Sequence, residues 1–228
     1  MKFMLERSSP PATARVLELG CGTGSLLGII ARLRPDLRLY GIDRSAPMLR
    51  RAQASATARA SLMQADAMHL PWRPATADLV FFSLSLHLMD DLRLALREAI
   101  QSLRPGGRLA IWTLSREHIS NFHLRRFFPS VVDIDMKRFP APGELLWWLL
   151  EADLSQCNMV AYPEPRQVSL ATLVDRVAHR YISTLWMLDE DEYRNGLRAM
   201  HRAWGEDPNA TVSYSMGWVL LEATVGKP

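Results

Sequence analysis

Three glycines at alternating positions, Gly20, Gly22 and Gly24, and three polar residues further along, Asp43, Asp66 and His87, hold the chemical capability of this sequence. Glycine tolerates positive φ and lets a ligand approach the main chain closely; a helix that starts after such a turn offers unpaired N–H groups to a negative or oxygen-rich ligand group. A carboxylate about 20 residues past a loop of this kind can accept hydrogen bonds from ribose hydroxyls. An imidazole can take or give a proton near neutral pH. Together these types imply a cofactor site with a proton-transfer group beside it.

The elements that must position them follow from the hydrophobic pattern. Val16–Leu19 is an apolar run suited to a short buried parallel strand, and Ser25–Arg34 carries Leu26, Leu27, Ile29, Ile30 and Leu33 at helical spacing. A second strand spans Leu37–Ile42 and leaves Asp43 at its carboxyl end. Asp43 could instead cap the helix S-A-P-M-L-R-R-A that follows, as could Ser45 with Pro47. Ser61–Ala65 reads as a third strand leading into Asp66, Ala67 and Met68, where an ordinary turn Asp is the alternative. The apolar run Asp78–Ser83 suits a central strand. Ligands in open doubly wound sheets bind where strand order reverses, here between the first and fourth strands, so Ser83, Leu84, Ser85 and His87 are expected to wall the reacting groups. A packing role is the other reading of His87. Asp91–Leu103 is an amphipathic helix, Pro105, Gly106 and Gly107 stop it, and Arg108–Leu114 is a fifth strand.

The glycines read G-x-G-x-G, with Ser25 where the dinucleotide fingerprint has its last glycine, which counts against NAD. With Glu18 they read E-x-G-x-G-x-G, and Asp43, the D-A of Asp66 and Ala67, and L-R-P-G-G-R-L from Leu103 to Leu109 follow in order. In these four landmarks the sequence resembles the class I S-adenosylmethionine-dependent methyltransferases, of the small-molecule, type 11-like kind. The resemblance implies an α/β, Rossmann-like, doubly wound seven-stranded sheet of order 3-2-1-4-5-7-6, its last strand antiparallel, with helical cap insertions. It implies S-adenosyl-L-methionine as cofactor and S-adenosyl-L-homocysteine as product. Carried over position by position, it assigns cofactor binding to Glu18, Gly20, Cys21, Gly22, Gly24, Asp43, Arg44, Met48, Asp66, Ala67, Met68 and Ser83. Asp43 would serve the ribose, and Asp66 would accept from the adenine amine while the next backbone N–H meets a ring nitrogen. Met48 would touch the adenine, with plain core packing as its alternative.

The resemblance covers about Arg15–Leu114. Beyond it a helix is expected at Gly143–Leu154 and strands at Cys157–Tyr162 and Thr211–Val225. Residues 115–140 and 168–204 are extra and are read as a substrate cover, the second holding two helical patterns split near Leu188–Asp191. They mix aromatic and polar side chains, as small-molecule pockets and ordinary helical caps both do. His118, His123 and Tyr181 are the candidate substrate contacts there, beside His87, which is also the candidate proton acceptor. No histidine has metal-ligand spacing, so no metal is expected.

The 228 residues, 48% of them hydrophobic, suit one domain, 1–228, with a short arm at 1–14 and a cofactor-binding half at 15–114. A net charge of +3 with scattered basic residues implies neither a nucleic-acid stripe nor a membrane patch. Cys21 and Cys157 are too few for a disulfide framework, and a cytoplasmic protein is expected. The loop F-S-L-S-L lacks the N/D-P-P-Y/F pattern of amide and adenine methylation, and no Pro-Cys pair offers a cytosine nucleophile. The expectation is methyl transfer by in-line displacement to an O, N or C atom of a small molecule, by a monomer or homodimer. A non-catalytic S-adenosylmethionine-binding scaffold or sensor is the alternative.

Overall fold

The computed structural model describes residues 6–54, 59–152 and 154–226. The first five residues of the expected arm, and Asp153 within the expected helix Gly143–Leu154, lie outside them.

Strand β1 (Arg15–Leu19) is buried from Val16 onward and ends where Gly20 turns at φ +73°. Helix α1 (Ser25–Leu33) starts at Gly24, φ +67°, and buries Leu26, Leu27 and Ile30. Leu33, expected on that face, is half exposed because the helix ends there. Then come β2 (Arg38–Asp43), α2 (Ala46–Ala54), β3 (Ala60–Gln64) and β4 (Ala77–Ser83). A 3-10 turn (Leu86–Leu88) leads to α3 (Leu92–Ser102), which Asp91 caps by accepting the Leu94 N–H at 2.9 Å. The remainder comprises β5 (Leu103–Leu114), α4 (Arg116–Ser120), α5 (Ser130–Arg138), α6 (Pro142–Glu151), β6 (Ser155–Ser169), α7 (Leu170–Ala178), α8 (Glu190–Glu206) and β7 (Thr211–Thr224).

The strands form one seven-stranded sheet in the order β3-β2-β1-β4-β5-β7-β6, the expected order. The pairs β1–β2, β1–β4, β2–β3 and β4–β5 are parallel. β7 runs antiparallel to β5: the Gly106 N–H meets the Val225 carbonyl while the Ser115 N–H meets that of Gly217.

Two expectations need correction. The L-R-P-G-G turn is not outside β5 but within it. Leu103 already pairs with Ala77, and the register then shifts between Ala77 and Leu79. Gly106, at φ +75°, takes up the extra residues as a bulge. β6 extends well past Tyr162 on both sides of Pro163 and Pro165. It lies at the sheet edge, where a missing N–H costs no ladder partner.

The chain divides into two compact units, Met1–Thr113 with Pro142–Val160 and Val219–Pro228, and Leu114–Ala141 with Ala161–Trp218. In the first, Leu17, Leu19, Phe82, Leu109 and Ile111 pack with Leu145 and Leu149 of α6. In the second, Leu124, Phe128, Leu173, Val177, Leu185 and Met200 form a separate core. There the buried Tyr193 hydroxyl donates to the Val177 carbonyl at 3.0 Å, and Gly196 leaves room for the Phe128 ring. Residues 115–140 and 168–204 both fall within this second unit.

Candidate functional site

The carboxyl ends of β1, β2, β3 and β4 meet around a cleft in the first unit, lined by Gly20, Asp43, Arg44, Asp66, Ala67 and Met68 with Ile42, Ala65, Ser85, Leu88 and Met89. The cleft measures about 70 Å3.

Main-chain bonds set the shape of the glycine loop. The N–H groups of Gly20 and Cys21 both donate to the Ile42 carbonyl, at 2.8 and 3.0 Å, which ties the loop to the end of β2. Gly22 donates to Asp43 Oδ2 at 2.8 Å, and Asp43 Oδ1 accepts the Ser45 N–H at 2.8 Å. Asp43 therefore joins the glycine loop to the start of α2. Ser45 Oγ accepts the Met48 N–H at 3.4 Å, so of the two capping alternatives the helix-facing part falls to Ser45. Gly20 cannot be replaced without displacement: a Cβ there would lie 2.5 Å from the Ser85 Cβ. Ser85 is itself fixed, buried, and donates to the Leu19 carbonyl at 2.5 Å. The residue before it, Leu84, holds φ +52°, a strained conformation for leucine.

Beside this loop lies Glu18, only 3% exposed, with its Oε2 unpaired. Desolvation, with a smaller push from the Asp43 charge, raises its carboxyl well above the usual carboxylate range. Burial also pushes the Cys21 thiol up to about 12, so at neutral pH this cysteine is a protonated packing residue against Gly41. Asp66 Oδ1 accepts the Met68 N–H at 2.8 Å, an Asx turn that leaves the rest of its half-exposed carboxylate facing outward.

The structure thus gathers Gly20, Asp43, Arg44, Asp66, Ala67 and Met68 at one cleft. Glu18, Cys21, Gly22 and Gly24 stand behind it as support. Ser83 pairs with Trp112 in the sheet, and Met48 is 39% exposed; neither lines the cleft. His87 sits half-buried in the 3-10 turn and does not line it either, although Ser85, Leu88 and Met89 on either side do. Ile42, Ala65, Leu88 and Met89 were not foreseen, yet each lies within two positions of a residue that was.

His118 and His123 come together elsewhere, in the second unit, on a cavity of about 420 Å3. Tyr181 lines neither and is 41% exposed. Among the described residues no group of three or more His, Cys, Asp or Glu side chains could hold a metal ion, and no helix is long and apolar enough to cross a membrane.

Residues 17–111 match a family model described as a methyltransferase domain. The malonyl-[acyl-carrier protein] O-methyltransferase of Dechloromonas aromatica is 34% identical over 164 residues, covering 67% of this chain and 58% of that protein. The demethylmenaquinone methyltransferase of Lactiplantibacillus plantarum is 38% identical over 104 residues, 43% of this chain and 44% of that protein. The chain thus spans less than two thirds of either relative. Among solved structures, the YcgJ protein of Bacillus subtilis aligns over 100% of this chain and 98% of its own with a TM-score of 0.70 at 16% identity, a likeness of fold.

Proposed function

We propose that this chain, whose residues 17–111 match a family model described as a methyltransferase domain, is a class I S-adenosylmethionine-dependent methyltransferase that transfers a methyl group from S-adenosyl-L-methionine to an O, N or C atom of a small molecule. The observation that carries the reading is the cleft at the carboxyl ends of β1 to β4, where Asp43 and Asp66 flank a glycine loop that has no room for a side chain at Gly20. The unpaired Glu18 oxygen beside the loop fits a cationic or N–H-bearing ligand group, which would give that buried carboxyl the partner it lacks.

When bound, the cofactor supplies an electrophilic methyl group on a sulfonium. The chain's own part is to bind, orient and exclude water. Glu18 would take the amino group of the amino-acid end, and Asp43 would accept from the ribose hydroxyls with the lone pairs that Gly22 and Ser45 leave free. Asp66 would accept from the adenine amine, the Ala67 N–H would donate to a ring nitrogen, and Met68 and Arg44 would border the base. Displacement needs the reacting atoms held about 3 to 3.5 Å apart in line, so positioning contributes most of the rate. His87 takes the proton of a hydroxyl or acidic carbon acceptor; an amine needs only desolvation. His118, His123 and Tyr181 are the acceptor contacts in this reading of 1–228 as a single methyltransferase domain.

A small-molecule acceptor, a cytoplasmic location, and a monomer or homodimer that binds no nucleic acid belong to the same reading. The names of the two relatives support a non-nucleic-acid acceptor. The scaffold alternative is favoured by one observation, that His87 does not line the cleft. Titration calorimetry with S-adenosylhomocysteine tests the cofactor assignment, and transfer of labelled methyl into extract fractions, absent with a Gly20→Ala control, separates enzyme from scaffold.

A further inference from the structure

The cavity of about 420 Å3 in the second unit is built around two imidazoles. His118 is 6% exposed, and its Nδ1 lies 3.0 Å from the Ser215 carbonyl oxygen. A carbonyl only accepts, so Nδ1 carries the proton and the Nε2 of the neutral ring is a bare lone pair. That Nε2 is buried and has no partner. His123 stacks on Tyr214 with ring centroids 3.9 Å apart, and the Phe122 ring lies 4.5 Å from it. Both of its ring nitrogens are buried and unpartnered. Burial, with a smaller contribution from His118, lowers His123 to about 4, and burial lowers His118 as well, so both rings are neutral at physiological pH. The pair therefore presents two lone pairs and one N–H, with no fixed charge and with aromatic faces alongside. Glu117 and Arg126, opposite in sign and exposed, also line the cavity.

This inventory discriminates between ligand classes. A carboxylate would bring lone pairs against the Nε2 of His118, and an ammonium would lose its hydration without meeting an anion at the imidazoles. A hydroxyl both donates and accepts, and an aromatic ring carrying it can pack beside Tyr214, which lines the cavity.

We propose that this cavity binds an uncharged hydroxylated aromatic ring whose hydroxyl donates to His118 Nε2 and pairs with His123. The inference deepens the acceptor assignment and rests on the proposed methyl transfer only in calling this ligand the acceptor; the binding is independent of it.

The test uses the full chain with 15N-labelled histidine at pH 7.5, titrated with catechol and, separately, with benzoate and benzylamine at matched concentration. Catechol is expected to move the His118 and His123 ring-nitrogen resonances saturably, and the two charged probes are not. His123→Phe, which keeps a ring between Phe122 and Tyr214, should weaken catechol by about fivefold, the loss of an ordinary hydrogen bond. Equal response to all three probes, no response to catechol, or unchanged affinity in His123→Phe overturns the proposal. S-adenosylhomocysteine titrated into the same sample keeps the readings apart: catechol binding without it counts against methyl transfer alone, and the reverse counts against this site alone.

Discussion

Asp43 accepts the Gly22 backbone N–H at 2.8 Å, joining the end of β2 to the middle of the glycine loop. The same carboxylate accepts from Ser45, so one side chain sets the shape of the loop before any ligand arrives. Asp43→Ala should therefore weaken S-adenosylhomocysteine in calorimetry by tenfold or more and also lower the melting temperature, since each charge-assisted bond contributes about 1.5 to 3 kcal/mol. Asp43→Asn keeps one acceptor and should fall between. Wild-type affinity in Asp43→Ala would remove this residue from the cofactor site.

Gly20→Ala should abolish cofactor binding. A left-handed backbone with a β-carbon and a collision with the immobile Ser85 together cost on the order of 2 to 6 kcal/mol. Thermal unfolding should show the loss directly. Gly143→Ala, where nothing lies within 4 Å, should barely move the transition.

Glu18 gives a pH signature. Its folded pKa is raised, so the stability it permits is present below the ordinary carboxylate range and is lost as pH rises through the folded value. Glu18→Gln removes the ionisation. The variant should gain on wild type in urea unfolding as pH is raised from the ordinary value of 4.5 to 8, yet bind S-adenosylhomocysteine more weakly. A constant stability difference across that range would contradict the assignment.

His123 has the opposite dependence. Its pKa is depressed from 6.5 to about 4, so its contribution is complete above 6.5 and declines as pH falls from there through about 4. The loss should be at most on the order of 3 kcal/mol, from the size of that displacement. Unfolding followed at pH 7.5, 6 and 5 should show wild type losing more stability than His123→Phe. Parallel losses would assign the acid sensitivity elsewhere.

His87→Ala tests proton transfer separately from binding. Turnover on an oxygen or carbon acceptor should fall by about 10²- to 10⁴-fold, as for other general bases, with S-adenosylhomocysteine affinity unchanged. Undiminished turnover would exclude a role for this residue, consistent with its place outside the cleft lining.

The sequence was most legible where the determinants were local. The strand, glycine turn and helix from Arg15 to Leu33 depend on neighbouring residues alone, and strand order followed from the landmarks. Interruptions were harder to place. Pro163 and Pro165 look like a stop, but they are compatible with β6 because it is an edge strand, which only the folded sheet reveals. L-R-P-G-G reads as a turn because a bulge uses the same residues. The pairing of His118 with the Ser215 carbonyl, 97 positions away, leaves no trace in local spacing. Asp43 was legible as an acid at a strand end, but its bond to Gly22 depends on how the loop folds back.

The prolines of β6 also bear on self-association. A 15-residue outer strand would otherwise present a long row of free amide donors, an invitation for another chain to extend the sheet. Pro163 and Pro165 remove two of those donors, and Glu164 and Arg166 put opposite charges between and beyond them. Lateral addition of another strand across Pro163–Arg166 would therefore meet two missing donors and a pair of charges.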